Sequence, residues 1–208
     1  MRIDALILDY GGVVIHEDPA DYDPIAVPNG FAPGELWTLV HSIPEYAPSR
    51  IGAIPQERFH AAVAAAIASR CGVAGASTIM AALADYYARH AAPRPAMCEL
   101  LDALDGRVKR VLLSNASRGS TARFAERLQG RFDAIVCSGD VGVAKPDAAA
   151  YRLAAARGGA RPERCAFVDD VAANVAAARA LGMQGLHYHH SRHVELIDAL
   201  KAWGAAVD

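Results

Sequence analysis

The feature that most restricts the fold of this chain is a regular alternation of short apolar runs with longer helical segments from residue 95 onward. The apolar runs predict strands over residues 108–113, 134–137 and 166–168 and around Leu186. The intervening segments predict helices over 95–104, 117–128, 146–157, 172–181 and 194–203. Strands and helices that alternate in this way are typical of a parallel sheet with crossover helices.

The amino-terminal segment predicts one more strand of the same sheet. Residues 5–8 form a compact apolar run that ends in Asp9 and the turn residues Gly11 and Gly12. Residues 16–94 differ in character, because a proline-rich stretch over 19–55 is followed by alanine-rich helical patterns over 57–69 and 77–91. We therefore predict an α/β fold: a Rossmann-like, three-layer core with a five-stranded parallel sheet, built from 1–15 and 95–208, and a helical insertion of 16–94 after the first strand.

Composition and charge favour small-molecule chemistry. The chain has 208 residues, 53% of them hydrophobic and 21% charged, and its formal net charge is -2. Acidic and basic residues are interspersed, and no segment has the pattern of a membrane span or a signal peptide. We expect a cytoplasmic protein that acts on a small molecule and binds neither nucleic acid nor a membrane. The sequence does not indicate an oligomeric state.

Polar residues follow three of the predicted strands at the point where each strand ends. They are Asp9, the pair Ser114 and Asn115, and the pair Asp169 and Asp170. The carboxyl ends of parallel strands form the ligand-binding edge of such a sheet. Each residue alone is explained equally well as a turn or cap residue. Together with Lys145, in a chain that has 18 Arg and only three Lys, they predict a phosphate and metal site.

These segments resemble the four ordered motifs of the haloacid dehalogenase-like phosphatases. The first is Leu-Ile-Leu-Asp-Tyr-Gly-Gly-Val-Val over 6–14, the second Leu-Leu-Ser-Asn over 112–115, the third centres on Lys145, and the fourth is Phe-Val-Asp-Asp over 167–170. The resemblance covers nearly the whole chain, and it implies that residues 16–94 are the small α-helical cap domain of that family.

The resemblance also implies a set of roles. Asp9 would be the nucleophile that forms an aspartyl-phosphate, and Mg²⁺ would offset the repulsion between its carboxylate and the phosphate of a small phosphorylated metabolite, such as a sugar phosphate. The implied Mg²⁺ ligands are Asp9, the main-chain carbonyl of Gly11, Asp169 and Asp170, with Asp170 expected to bind directly. The implied phosphate ligands are Ser114, the Asn115 backbone amide, Lys145 and Gly12, and Ser114 and Lys145 are also expected to assist catalysis. Asn174 would orient the metal-ligand loop, unless it is only a polar helix residue.

One position departs from the family pattern. Relatives usually carry a second aspartate two residues after the nucleophile, as the general acid and base, and this chain has Gly11 there. We hypothesise that His16, Glu17 or Asp18 reaches the leaving group instead. The simpler interpretation is that all three are solvated loop residues.

Residues of the cap choose substrates in this family, and four of them have side chains suited to a polar small molecule: Trp37, His41, Tyr46 and Arg50. Packing of the cap helices onto the core explains the same residue types. A further group, His187, His189, His190 and His193, is better explained as a solvated loop than as a metal site, because acidic and cysteine partners do not accompany it.

Two other functions remain open. A haloacid dehalogenase uses the same aspartate to attack carbon and needs no second aspartate, so Gly11 is compatible with it. The adjacent carboxylates Asp169 and Asp170 favour a divalent cation and hence the phosphatase. A catalytically weak regulator that binds a phosphorylated ligand is the second alternative.

Overall fold

A single parallel sheet forms the core of the protein in a computed structural model that describes residues 2–205. Its strands are β1 (Ala5–Leu8), β2 (Lys109–Ser114), β3 (Ala134–Cys137), β4 (Cys165–Asp169) and β5 (Gln184–His187). The strand order is β3-β2-β1-β4-β5, so β1 is central. The predicted five-stranded parallel α/β core is confirmed.

The helices of the described residues are α1 (Asp23–Ala26), α2 (Glu35–Ser42), α3 (Tyr46–Arg50), α4 (Gln56–Arg89), α5 (Pro95–Ala103), α6 (Ser120–Leu128), α7 (Ser138–Val141), α8 (Ala148–Arg157), α9 (Ala172–Ala180) and α10 (His193–Ala202). Side chains of α5, α6 and α10 share an apolar cluster with Leu6 and Leu8. Side chains of α8 and α9 share a second cluster with Ala5 and Ile7. Because successive side chains of a strand point to opposite faces, β1 is buried on both sides and the core has three layers.

Strand register brings the polar strand ends together. Leu8 pairs with Leu112 on one side and with Val168 on the other. Asp9, Ser114 and Asp169 therefore end three adjacent strands at the same edge of the sheet.

The chain leaves the core at Ile15 and returns at Pro93, and these two residues form an antiparallel bridge. Helices α1, α2 and α4 and the segments around them contribute to a third apolar cluster, separate from the two on the sheet. The sequence predicts two helices over 57–69 and 77–91; the structure has one element, α4, interrupted at Gly72, where φ is +76°. This left-handed conformation suits glycine because it has no side chain.

Among the described residues, α4 has the length and mean hydropathy, 1.4 over an 18-residue window, of a possible membrane span. Its two halves nevertheless contribute Phe59 and Tyr86 to one apolar cluster. The expectation that the chain does not bind a membrane stays a prediction.

Some predicted boundaries are wrong for local reasons. The helix predicted from Pro146 begins at Ala148, because Asp147 precedes it as N-cap and accepts a hydrogen bond from the Ala149 amide at 2.8 Å. Helix α6 begins at Ser120 instead of residue 117, after Gly119 in a left-handed conformation. The short helices α1, α2, α3 and α7 are not predicted by the sequence patterns.

Candidate active site

Three carboxylates meet at the carboxyl edge of the sheet. Asp9 follows β1, Asp169 ends β4, and Asp170 follows it. Ligand oxygens of all three lie within 4.8 Å of one another. This is the group of acidic residues that the sequence analysis expected to bind a cation, and the fold brings them together.

The Lys145 ammonium links two of these carboxylates. Its Nζ lies 2.7 Å from Oδ1 of Asp9 and 2.6 Å from Oδ2 of Asp169, and its side chain is buried. Burial lowers the pKa of Lys145, but the carboxylates of Asp9 and Asp169 outweigh this effect and raise it. Lys145 is therefore a fixed positive charge beside the candidate nucleophile.

The Asn115 side chain holds the backbone of Lys145. Its Nδ2 donates to the Lys145 carbonyl at 2.8 Å, and its Oδ1 accepts from the Lys145 amide at 2.9 Å. The resemblance implies only a contact between the Asn115 backbone amide and a phosphate, so this positioning contact of the side chain is not predicted by the sequence. Ser114, at the end of β2, is buried, and its hydroxyl makes no side-chain hydrogen bond within the described part of the chain, so it is available to a ligand.

Asp169 and Asp170 have different surroundings. Asp169 accepts from the Val171 amide at 2.8 Å, from Asn174 Nδ2 at 3.1 Å on both oxygens, and from Lys145. Among residues 2–205 no side-chain donor hydrogen-bonds the Asp170 carboxylate, although the Asp170 backbone amide lowers its pKa. The carboxylate lies so close to Gly12 that a Cβ atom there would overlap Oδ2. Gly12 has a φ of +66°, so its left-handed backbone and the nearby Asp170 carboxylate both favour glycine at this position. Direct binding of a cation by Asp170 stays a prediction, while Asn174 holds the Asp169 carboxylate through both of its oxygens.

The charge balance of the site fits a divalent cation. Burial, together with the charges of Asp169 and Asp170, raises the pKa of Asp9 to about 7 against the opposing charge of Lys145. Burial and the Asp169 charge raise the pKa of Asp170 to about 6. One ammonium does not neutralise three carboxylates, and oxygen ligands of this kind suit Mg²⁺. Asp9 and Asp170, with the main-chain carbonyl of Gly11, are the groups that would hold it.

Glu17 occupies the space beside Gly11. The Gly11 backbone, with φ -67° and ψ 143°, would accept any residue, but a Cβ atom at Gly11 would overlap Oε2 of Glu17. Burial and the Asp170 charge raise the pKa of Glu17 to about 7, and the Arg50 guanidinium opposes them. Glu17 is half-buried, and its carboxyl group lies where a side chain at residue 11 would be. Its replacement of the family's second aspartate stays a prediction.

The two neighbours of Glu17 point elsewhere. His16 lies 2.5 Å from Oδ2 of Asp21 and 3.1 Å from Nη2 of Arg94. The Asp18 carboxylate accepts from the Ala20 amide at 2.9 Å and caps a helical turn. Neither side chain contacts Gly11 in the described structure.

The four selected cap residues form one row. Trp37 stacks on His41 at a ring-centroid distance of 3.9 Å, and His41 lies 4.7 Å from Tyr46. The Arg50 guanidinium lies 5.2 Å from the Tyr46 ring centre. Burial raises the pKa of Tyr46; the charge of Arg50 opposes this, and the charges of Glu17 and Asp9 add to it. Tyr46 and Arg50 are thus the end of the row nearer to the site, while Trp37 and His41 pack among the helices of the insertion.

The carboxy-terminal histidines have separate partners, with no metal-ligand cluster among them in the described range. His187 Nε2 donates to the Asp170 carbonyl at 2.8 Å, and His193 lies 3.0 Å from the Tyr188 hydroxyl. His189 contacts Ser191, and the His190 ring lies 6.2 Å from that of His16. His187 is exposed, as the interpretation of these histidines as solvated residues expects, but it ends β5, and its hydrogen bond supports the loop that carries Asp170.

Solved structures share this fold across most of the chain. A HAD-like family hydrolase from Porphyromonas gingivalis superposes with a TM-score of 0.67 at 21% identity, over 95% of this chain and 98% of its own. A HAD family enzyme from Bacteroides thetaiotaomicron, solved as a magnesium complex, superposes with a TM-score of 0.70 at 17% identity, over 94% and 99%. An L-2-haloacid dehalogenase from Xanthobacter autotrophicus, solved with chloropropionic acid covalently bound, gives 0.63 at 21% identity, over 98% and 84%.

Sequence comparison gives the family. Bifunctional epoxide hydrolase 2 of Sus scrofa is 39% identical over 69 residues, which are 33% of this chain and only 12% of that protein. The family model of haloacid dehalogenase-like hydrolases matches residues 3–182. The chain is therefore a member of the haloacid dehalogenase-like hydrolase family.

Proposed function

We propose that this hydrolase cleaves small phosphate monoesters in a Mg²⁺-dependent reaction through an aspartyl-phosphate on Asp9. The observation that carries the proposal is the cluster of Asp9, Asp169 and Asp170 around one buried ammonium, that of Lys145. A dehalogenase could use one further carboxylate, to activate the water that hydrolyses its ester intermediate, but it needs no group of carboxylates that holds a cation. A phosphate dianion needs a cation, which these carboxylates would hold.

In the first half of the reaction, which forms the aspartyl-phosphate, each group of the chain would have its own role. One Asp9 oxygen is held by Lys145, and the other has no partner among the described residues and attacks phosphorus. The bond between phosphorus and the ester oxygen breaks as the new bond forms. Ser114 and Lys145 donate hydrogen bonds to the phosphoryl oxygens, which gather charge during transfer. When bound, Mg²⁺ would neutralise the phosphate and Asp9 charges.

We propose that Glu17 replaces the second aspartate of the family. Its carboxyl group lies against Gly11, next to the nucleophile loop. It would give its proton to the departing ester oxygen. It would then take a proton from the water that attacks the phosphorus of the aspartyl-phosphate, and cleavage of that bond releases phosphate and restores Asp9.

Two relatives inform this proposal. The wild-type Bacteroides thetaiotaomicron enzyme has been solved with magnesium and inorganic phosphate. The Xanthobacter autotrophicus dehalogenase, which is about as similar, binds a chlorinated acid covalently. These structures agree on the fold, so the choice between phosphorus and carbon as the attacked atom has to be tested.

The test is product release from purified protein. We expect phosphate release from a panel of sugar and other alkyl phosphates with Mg²⁺, its loss with EDTA, and its loss in Asp9→Asn. 2-Chloropropionate, assayed in parallel for chloride, should give none. Metal-independent chloride release that Asp9→Asn abolishes would replace the phosphatase with a dehalogenase. Release of neither product, with Mg²⁺ still bound, would favour the regulatory alternative.

Esters that differ in leaving group test the role of Glu17. For alkyl phosphates, whose leaving oxygen needs a proton, Glu17→Gln should lower kcat by about 10²- to 10⁴-fold. For 4-nitrophenyl phosphate the first transfer needs no proton, so nitrophenol should appear as a burst of one equivalent before slow turnover. Equal losses for both esters without a burst would contradict the assignment. Asp18→Asn, a neighbouring carboxylate that caps a turn, is the control.

A further inference from the structure

Arg50 is a cation held in a fixed position by the cap. It is the last residue of α3, and its guanidinium lies 5.0 Å from the Phe59 ring centre and 5.2 Å from that of Tyr46. Its Nε donates to Ser49 Oγ at 3.1 Å. Two aromatic faces and one hydrogen bond therefore set the direction of the group and leave the two Nη atoms for another partner.

No carboxylate of residues 2–205 forms an ion pair with Arg50. Most other partly buried arginines of the chain differ in this respect; Arg110, for example, lies 2.5 Å from Asp105 and 3.3 Å from Asp133. Arg50 is half-buried, so its guanidinium loses part of its contact with water without gaining an anion, and its fork of donors suits a carboxylate or a phosphate. Arg50 has the surroundings of a group that binds an anion from outside the chain.

The position of Arg50 suits a contact with the leaving group. The Ser138 hydroxyl, from the core, donates to the Arg50 carbonyl, so this end of α3 is fixed on the core. Burial and the Asp170 charge raise the pKa of Glu17, and the Arg50 charge opposes them. The pKa of Tyr46 is raised by burial and by the charge of Asp9 and lowered by the charge of Arg50. In an in-line transfer the leaving group lies opposite the attacking Asp9 oxygen. The helical insertion, which carries Arg50 at the end of α3, is the part of the chain that we expect to cover this group.

We propose that Arg50 selects phosphate monoesters whose leaving group carries a second anionic group, a carboxylate or another phosphate. This inference rests on the proposed phosphatase function and adds a substrate class to it. The transferring phosphate has its own cation in Lys145, which the core supplies, whereas Arg50 is supplied by the cap. A substrate with anions at both ends would engage both parts of the molecule at once.

Three esters with the same two-carbon chain test the proposal: 2-hydroxyethyl phosphate, phosphoglycolate and ethanediol bisphosphate. In the parent protein kcat/KM should be higher for the two charged leaving groups than for the uncharged one. In Arg50→Met, which keeps the apolar stem, the ratio of charged to uncharged ester should fall by about 10- to 100-fold, and in Arg50→Lys by less. A fall for only one of the charged esters identifies whether the carboxylate or the phosphate is recognised.

Arg118→Ala is the matched control, because Arg118 also joins core and cap, through a hydrogen bond of 3.1 Å to the Gly52 carbonyl. It should leave the ratio unchanged. The same fall for all three esters in Arg50→Met would overturn the proposal and place Arg50 on the transferring phosphate. Binding of the three esters with Mg²⁺ in an Asp9→Asn background, with and without Arg50→Met, measures the same ratio without turnover. The assignment of Arg50 can therefore fail or succeed independently of the phosphatase reaction.

Discussion

Asp169 and Asp170, two adjacent aspartates at the end of β4, differ in the hydrogen bonds that their carboxylates receive. Asp169 is fully buried, and its oxygens are bonded to Lys145, Asn174 and the Val171 amide. Asp170 receives no side-chain hydrogen bond from described residues and lies against Gly12, next to the nucleophile loop. Asp169 is thus held by hydrogen bonds from its neighbours, whereas Asp170 keeps a charge that a bound cation would neutralise.

Asp170→Asn tests this division by stability. With EDTA the variant should be at least as stable as the parent, because it removes one of three clustered negative charges. With Mg²⁺ at about a hundredfold excess over its Kd, the parent should gain about 2.7 kcal/mol in the free energy of unfolding, and the variant far less. Thermal unfolding with and without Mg²⁺ measures both. Asp198→Asn, an exposed carboxylate on α10, should keep the full gain, and an equal gain in Asp170→Asn would contradict the role of Asp170.

The contact between Gly11 and Glu17 predicts a compensating pair of substitutions. Gly11→Asp alone should impair turnover of alkyl phosphates by tenfold or more, since its side chain and that of Glu17 require the same space. Glu17→Ala alone should impair it as well. The double variant restores the arrangement usual in the family and should recover activity above either single variant. Steady-state kinetics of the four proteins test this, and a double variant worse than both singles would refute it.

Residue types at strand ends were sufficient to predict that Asp9, Asp169 and Asp170 meet, because the parallel sheet brings such positions together. Lys145, which lies in the segment before α8, was instead indicated by the motif around it and by the scarcity of lysine in the chain. Glu17 and the side-chain role of Asn115 could not be assigned in this way. Both depend on how loops fold back, over six residues in one case and thirty in the other. The one available signal was a glycine at the second-aspartate position followed by an acidic residue within the same loop.

At the scale of elements, Asp133 joins β2 to the loop before β3. Its carboxylate accepts from the Arg110 amide at 2.9 Å, from Arg110 Nε at 3.3 Å and from Lys109 Nζ at 2.9 Å. Burial raises the pKa of Asp133, but these hydrogen bonds outweigh burial and lower it from 3.8 to about 2. The ionised form is therefore favoured by folding.

Asp133→Asn should lower the free energy of unfolding by about 2 kcal/mol at neutral pH. A depressed pKa stabilises the fold above the unfolded value of 3.8, and this contribution disappears as the pH falls through about 2. Chemical denaturation at a series of pH values should thus show parent and variant converging in acid. Asp105→Asn, the exposed partner of the same Arg110, should cost less than about 1 kcal/mol, and a pH-independent difference for Asp133→Asn would contradict the linkage.

Elements with a strong local pattern were predicted closely. The helix predicted over 95–104 is Pro95–Ala103, and that predicted over 172–181 is Ala172–Ala180. Their apolar periodicity or alanine content agrees with their packing on the sheet. The sequence patterns do not divide the segment between Pro19 and Pro55 into elements, because its helices are too short to show a clear period. Its buried residues, such as Tyr22 and Leu36, pack in one cluster with residues of α4, which is distant in sequence.

At the scale of the whole molecule, cap and core meet at a seam that positions the cap side of the site. Arg118 of the core donates to the Gly52 carbonyl, and Ser117 donates to Gln56 at 3.2 Å. A Cβ atom at Gly52 would overlap the Gly139 carbonyl, so the two backbones approach closely. The sequence predicts a cap after the first strand, but these contacts depend on side chains from separate parts of the chain.

The proposed reaction requires that core and cap cooperate on one covalent step. Asp9 and Lys145 belong to the core, Glu17 to the segment that leads into the cap, and Arg50 to the cap itself. A phosphoryl group that is bonded to Asp9 during turnover is the consequence that no alternative function shares. A dehalogenase forms an ester of the substrate carbon at the same residue, and a binding protein forms no bond.

The most direct measurement is therefore mass analysis of peptides from Glu17→Gln quenched in acid during turnover of 4-nitrophenyl phosphate with Mg²⁺. We predict one phosphoryl group per chain, on the peptide that contains Asp9, and none in the Asp9→Asn/Glu17→Gln double variant. Phosphate release without modification of Asp9, or a phosphoryl group on any other residue, would contradict the proposed mechanism.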